Sequence, residues 1–568
     1  MADKDKSQAH DKQVLHKLGY AQELSRRMSG FSNFAISFSI ICILAGGISA
    51  FPAAFNALGS GGAFMIWLVG GVLALSVAFG MGQIASSFPT AGGLYHWSSH
   101  LGGKMWGWAT AWFNLIGLIC VVSSVDVLLY SIFFKGILFT DTLKIDTSAW
   151  GYWHQFIFMA IVLTTQALLN HYGIELTTKV TDISGYLILA LTVILIIALF
   201  IFSPVKMDIS RLWTFTNFTG ESGGSVLPFR TESIAFAFLL GLVYVCYTIT
   251  GFDASAHTSE ETKDAQVNVP KGMWTAVFWS WVFGLVAVAA YVLTMPSIQE
   301  AGAAGWTSFD YMWNASLMPQ WLKVFLALGL VAVNYMCALA GMTSCSRMMY
   351  AFARDGGLPA SKSLSNVSTS YRTPTYAIWT SAALALLSTV YAPYYLVLAV
   401  ACAVFLYLSM VMPIAAGLRA EGTAKWKEKG PFNLGGLSKA NAVLAIIFGI
   451  TLAITGFFPP NEKIYYFTII FIVALLGLWS RKTAIWGIVV AVIGLVLGFF
   501  KVSEANVMHY LIPGPGTAYT TLAVAVITTV VTYLTGGEEN RFEGVPEGDK
   551  IVQRQKLIAD IEKKYGEH

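Results

Sequence analysis

Two stretches of small and polar residues interrupt otherwise apolar runs: "ILAGGISAFP" at 43–52 and "TITGFDASAH" at 248–257. Where a helix unwinds in an apolar medium, its main-chain N–H and C=O groups are bare, and such backbone must line a cavity or hold something. A half-helix N-terminus presents N–H groups and positive dipole suited to a carboxylate. A half-helix C-terminus presents carbonyls suited to an ammonium or a small cation. The plainer reading is that glycine pairs mark close helix packing and that Ser or Thr bond back to their own helix. Two interruptions at matching places favour a site over packing.

Ionisable groups inside apolar runs add to this chemistry. Asp126 stands alone within "CVVSSVDVLLY". A buried carboxylate is costly and should face a protein interior. It would pair with the cationic end of a bound solute, carry a proton, or serve as a structural acid near the outer mouth. Asp253 begins a polar run reaching Glu260 and Glu261, which would form an inner gate with Lys263, Lys271 or Arg354, or remain solvated loop charges. His257 is either a proton site near the inner mouth or a hydrogen-bonded helix-end histidine. Arg347 and Arg354 are expected to snorkel to the nearby surface. Asn334, in a long apolar run, would line the pathway or bridge helices.

Composition defines what positions these groups. Of 568 residues 56% are hydrophobic and 12% charged, about half the charged fraction of a soluble chain; mean hydropathy is +0.63. The net charge of +4 gives no reason to expect a nucleic-acid partner. The six cysteines sit in apolar runs without metal-ligand spacing and read as buried thiols. The polar first 27 residues have no h-region and do not read as a cleaved signal.

Apolar blocks cover 31–55, 63–87, 106–134, 152–170, 181–203, 231–257, 273–295, 321–353, 375–391, 394–416, 440–458, 464–480, 483–500 and 517–535. Each is near or above the length of a membrane-crossing helix. The expected fold is an all-α polytopic membrane protein with about fourteen transmembrane helices. The interrupted blocks are the first and sixth, the spacing of two inverted five-helix repeats with broken helices 1 and 6. The expected organisation is an N-terminal segment 1–30, a first repeat 31–203, a second repeat 231–416, four additional helices in 440–535 and a tail 536–568. Lys and Arg are denser in loops 88–105, 171–180, 258–272, 354–374 and 417–439 than in the alternate loops. That bias places both termini in the cytoplasm.

Several longer motifs carry a resemblance. "GYAQELSRRMSGFSNFAISFSI" enters the first block, "SSFPTAGGLYHWSS" follows the second and "SSVD" lies in the third. "TITGFDASAHTSEETKDAQVNVPKG" crosses the sixth and "GMTSCSRMMYAFARDGGLP" closes the eighth. In these stretches, spread over 19–480, the chain resembles the amino acid–polyamine–organocation transporter superfamily. Within it the resemblance is to the amino acid/choline transporter family, which includes GABA and choline permeases. Two apolar blocks beyond residue 483 exceed that family's usual twelve.

The resemblance implies a solute held at mid-membrane between the broken helices. Ala45, Gly46, Gly47, Ile48 and Ser49 would offer main-chain N–H groups to a carboxylate. Carbonyls around Thr248, Ile249, Thr250 and Gly251 would take the amine, with Tyr247 as an aromatic lid and Phe252 nearby. Thr343 and Ser344 fall where sodium-coupled relatives place hydroxyl ligands. Proton-coupled relatives place a lysine in helix five, and the corresponding stretch here has none, so coupling to H+ or Na+ stays open. The expectation is a secondary active transporter in the plasma membrane for amino acids or related amines such as GABA, with no cofactor and no metal. The small-molecule substrate and the lipid bilayer are its partners, and its oligomeric state is not legible. Alternatives are a choline, betaine or polyamine permease, or a transporter-like nutrient receptor. An enzyme is not expected, because HExxH, GxSxG, P-loop and paired acid–base signatures are missing.

Overall fold

The computed structural model describes residues 2–220, 226–227, 230–391, 395–458, 462–479, 542 and 544–564. The helices in chain order are α1 (Ala2–Lys17), α2 (Gly30–Ile41), α3 (Ile43–Ser87), α4 (Leu94–Gly102), α5 (Lys104–Leu128), α6 (Tyr152–His171) and α7 (Ile174–Ile201). There follow α8 (Ile234–Thr248), α9 (Ala254–His257), α10 (Ala265–Thr294), α11 (Ile298–Ala304), α12 (Ser308–Ala315) and α13 (Gln320–Arg354). The remainder are α14 (Ser361–Leu364), α15 (Thr375–Tyr391), α16 (Tyr395–Ala420), α17 (Ser438–Thr455), α18 (Glu462–Trp479) and α19 (Asp549–Lys563). Among the described residues there is no β-sheet, only isolated bridges such as Met28 with Thr262.

Eight helical stretches among the described residues are long and apolar enough to cross a bilayer, and three shorter apolar helices accompany them. The stretch 30–87 is too long for one crossing at 1.5 Å per residue, and it turns at Leu58 and Gly59. Many large apolar side chains point outward, among them Ile157, Ile161, Ile183, Ile197 and Leu387. In water such a surface would be a liability, whereas lipid covers it without cost. The protein is thus an integral, multi-pass membrane protein. The last two apolar blocks, 483–500 and 517–535, lie outside the described residues.

Both anticipated helix interruptions exist, but the first lies elsewhere. The break in span one is at Cys42, whose φ of 35° is left-handed, and residues 45–49 are helical. "AGGIS" therefore forms the opening turns of the second half-helix, not the unwound segment. The break in span six follows α8: Ile249 leaves helical geometry, Gly251 has φ +75°, and α9 starts at Ala254. Gly251 serves twice there, because a Cβ would collide with Ile40 Cγ2 in a conformation that side chains disfavour.

Hydrogen bonds stitch the two broken spans together. Ser37 Oγ donates to the Phe252 carbonyl at 2.8 Å and lies 2.7 Å from Ser255 Oγ. Asn33 Nδ2 donates to the Ser255 carbonyl and to Thr258 and Thr262 hydroxyls. The polar faces of these apolar-flanked helices are spent on each other, as burial requires.

Candidate functional site

The two breaks flank a small cavity of about 20 Å³ lined by Ile40, Ala45, Gly46, Tyr247, Thr248, Thr250 and Asn334, among others. That volume holds about one water molecule, so the arrangement is a closed one. On one side stands the start of α3. Its first intrahelical bond runs from the Gly46 N–H to the Cys42 carbonyl at 2.8 Å, so the first-turn N–H groups are those of Ile43, Leu44 and Ala45. On the other side is the C-terminal end of α8, where the Tyr407 hydroxyl donates to the Ile249 carbonyl at 2.7 Å.

Gly46 permits this approach. A Cβ there would meet Thr248 Cγ2 at 2.5 Å, while one on Gly47 would meet only Trp67 at 3.7 Å. Two buried polar atoms on lining residues, Thr250 Oγ1 and Asn334 Oδ1, have no hydrogen-bond partner among the described residues. Asn334 is held by its Nδ2, which donates to the Val125 carbonyl at 2.8 Å. Tyr247 lines the cavity and donates its hydroxyl to Ser124 Oγ at 3.0 Å.

Of the residues anticipated for the site, the structure brings Ala45, Gly46, Tyr247, Thr248, Thr250 and Asn334 to the cavity. Gly47, Ile48, Ser49, Ile249, Gly251 and Phe252 stand behind that wall. Ser49 donates to the Gly46 carbonyl, and Phe252 gives its carbonyl to Ser37. Asp126 does not reach the cavity. Its Oδ1 accepts from Gln166 Nε2 on α6 at 2.9 Å, and it is completely buried.

The gating candidates form two buried assemblies. In one, Asp253 Oδ2 accepts from Asn114 Nδ2 at 2.9 Å and lies 3.2 Å from His257 Nε2. The other imidazole nitrogen faces the Ala91 carbonyl at 3.4 Å. In the second, Arg354 forks onto both oxygens of Glu260 at 3.0 and 3.1 Å, while packing 4.2 Å above the Tyr20 ring. Arg347 forks onto Glu261 at 3.2 and 3.3 Å. The anticipated partners Lys263 and Lys271 are not used by these glutamates. Arg347 does not snorkel: it is fully buried, because Glu261 and Asn170 Oδ1, at 3.2 Å, satisfy it inside. Thr343 is drawn into the same group, donating to Asn170 Oδ1 at 2.8 Å. Ser344 Oγ is buried without a hydrogen-bond partner among the described residues.

Sequence reading passed over Asn114, Tyr407, Cys337 and Cys402. The latter two line the cavity, and the Cys337 thiol points to the Ile40 carbonyl at 3.1 Å. A usable signal existed for Asn114 and Arg347, since a polar or charged side chain within a membrane span is a functional candidate by default.

An α-helical membrane protein with two spans broken opposite each other has the architecture of a solute carrier. Comparison with known proteins sharpens this. A family model described as "Amino acid permease" matches residues 28–479. The "Amino-acid permease BAT1" of Arabidopsis thaliana is 32% identical over 495 residues, covering 83% of this chain and 93% of that protein. Its homolog in Oryza sativa is 32% identical over 469 residues, covering 79% and 88%. The "GABA-specific permease" of Saccharomyces cerevisiae is 27% identical over 384 residues, covering 65% and 64%. The chain belongs to the amino acid permease family, within the amino acid–polyamine–organocation superfamily. The relatives it matches are named as permeases.

Proposed function

We propose that this protein is a secondary active transporter that carries an amino acid or a related small amine such as GABA by alternating access. Two inverted five-helix repeats would rock around a site at mid-membrane, in the plasma membrane, with both termini cytoplasmic. The first-turn N–H groups of Ile43, Leu44 and Ala45 would take the carboxylate. Carbonyls at the end of α8, with Thr250 and Asn334, would take the amine.

One observation carries this reading: the two helix breaks share a small cavity whose wall holds two buried polar atoms, Thr250 Oγ1 and Asn334 Oδ1, without a partner among the described residues. Buried polar atoms are ordinarily paired, and the amine of a solute admitted when the site opens would supply the missing partners. A choline-like solute has no carboxylate for the α3 N-terminus. Of its expected aromatic walls Tyr247 lines the cavity, but Phe252 does not.

A proton is the coupling ion that the geometry favours. Both His257 ring nitrogens face acceptors, Asp253 Oδ2 and the Ala91 carbonyl, so an imidazolium has a partner for each N–H. In proteoliposomes, GABA or another amino acid should accumulate under an inward proton gradient. His257→Gln should abolish that stimulation while leaving solute exchange. Accumulation of choline alone, or binding without accumulation, would refute the reading; stimulation by sodium alone would refute the coupling.

A further inference from the structure

The face that carries α1 and α19 holds a second, much larger cavity of about 840 Å³. Its wall is made by α1, the segment between α1 and α2, the turns preceding α10 and α15, and α19. Six cationic side chains, Lys12, Arg26, Arg27, Lys263, Arg372 and Lys563, line it together with one carboxylate, Glu562, among the described residues.

That carboxylate is already satisfied. Glu562 accepts from Lys12 at 2.7 Å, from the Gln22 N–H at 3.0 Å, and lies 2.8 Å from His16 Nε2. Arg372 is turned toward the Gln22 and Glu23 carbonyls at 2.9–3.0 Å. Arg26 reaches the Ser259 carbonyl and Asp11, and Arg27 reaches Glu175 at 3.6 Å. The ammonium groups of Lys263 and Lys563 have no side-chain partner among the described residues. Lys12, Arg26 and Arg27 are thus matched by Glu562, Asp11 and Glu175, and the concave wall keeps the positive charge of Lys263, Arg372 and Lys563, which raises the local concentration of anions.

Position narrows the ligand. Arg27 precedes α2 by three residues, Lys263 precedes α10 by two and Arg372 precedes α15 by three. These cations stand just before membrane spans, the kind of place where basic pockets meet anionic lipid. One carboxylate would neutralise one of the three that remain. Several phosphate oxygens, each able to accept charge-assisted bonds from Arg forks and Lys, match both the charge and the volume.

We infer that this cavity binds a polyanion bearing several phosphate groups, either a phosphorylated lipid headgroup or a soluble polyphosphorylated compound. Occupancy would tie the amino-terminal segment and α19 to the turn after span six, because Gln22 and Arg26 from the same wall bond the Glu260 and Ser259 carbonyls.

The test uses the full-length protein in phosphatidylcholine nanodiscs. One arm adds myo-inositol hexakisphosphate; the other incorporates phosphatidylinositol 4,5-bisphosphate into the disc. A raised thermal midpoint is the readout of binding to the folded state. At least one arm should respond: the lipid alone assigns a headgroup source, the soluble probe alone a free one, and both assign the phosphate cluster itself. Lys263→Gln with Lys563→Gln should weaken the responding probe's affinity by about tenfold or more. Lys263→Arg with Lys563→Arg should retain it, which separates charge from folding. No response in either arm would overturn the inference. So would an equal loss in Lys425→Gln with Lys427→Gln, a matched charge change on a distant loop.

Discussion

A Cβ on Gly46 would stand 2.5 Å from Cγ2 of Thr248, so the start of α3 and the end of α8 meet with no room for a methyl group between them. On the proposed reading, this contact would set the distance across which a carboxylate-facing helix start and an amine-facing helix end share one solute. Gly46→Ala should separate the two breaks at an overpacking cost of about 1–3 kcal/mol. Initial-rate uptake should fall by about tenfold or more. Gly47→Ala, with only Trp67 at 3.7 Å, should stay close to the parent. Equal effects of the two would remove Gly46 from the account.

The Arg347–Glu261 pair is fully buried, so removing one partner strands the other. Arg347→Gln should cost about 3–5 kcal/mol of stability, read as a lower thermal midpoint of the purified protein. Replacing both residues by methionine should recover part of that loss. A single variant as stable as the parent would mean that water reaches the pair.

Asp126 contacts Gln166 and not the cavity. Asp126→Asn should therefore leave the competition constant for amino acids within about twofold. A large loss confined to solutes with a positive charge would restore the carboxylate to the site.

Acidification should release the carboxy-terminal helix, and the sign follows from Glu562. Burial works against its charge, but Lys12, the Gln22 N–H and His16 outweigh burial and hold its pKa below the ordinary 4.5. A depressed carboxylate contributes stability above its unfolded pKa and loses it as pH falls through the folded value. Spin labels at Gln13 and Lys556 should report a docked α19 between roughly pH 5 and 7, with separation only at lower pH. Glu562→Gln should loosen the helix across the whole range. Release near neutrality would contradict the assignment.

Much of the helical plan was legible because hydropathy and length are enough to mark a membrane span. The interruption of span six was readable at Thr248–Gly251, where polar residues and a glycine coincide. Span one misled, because its glycine pair advertises unwinding while the turn falls on Cys42, a residue with no turn propensity. Tertiary contact decides there: Ile40 is seated against Gly251 and the Cys337 thiol points to its carbonyl. The Arg347–Glu261 pair was hidden for a related reason. Snorkelling is the local default for an arginine near a span end, and only the folded chain shows Asn170 and Glu261 waiting inside.

The central claim is that one amino acid sits between the two breaks. A cryo-EM structure of the full-length protein with GABA or its best-competing amino acid tests it most directly. The account predicts ligand density with its carboxylate at the Ile43–Ala45 turn and its amine near Thr250 and Asn334. Density elsewhere, with both breaks still closed on each other, would contradict it.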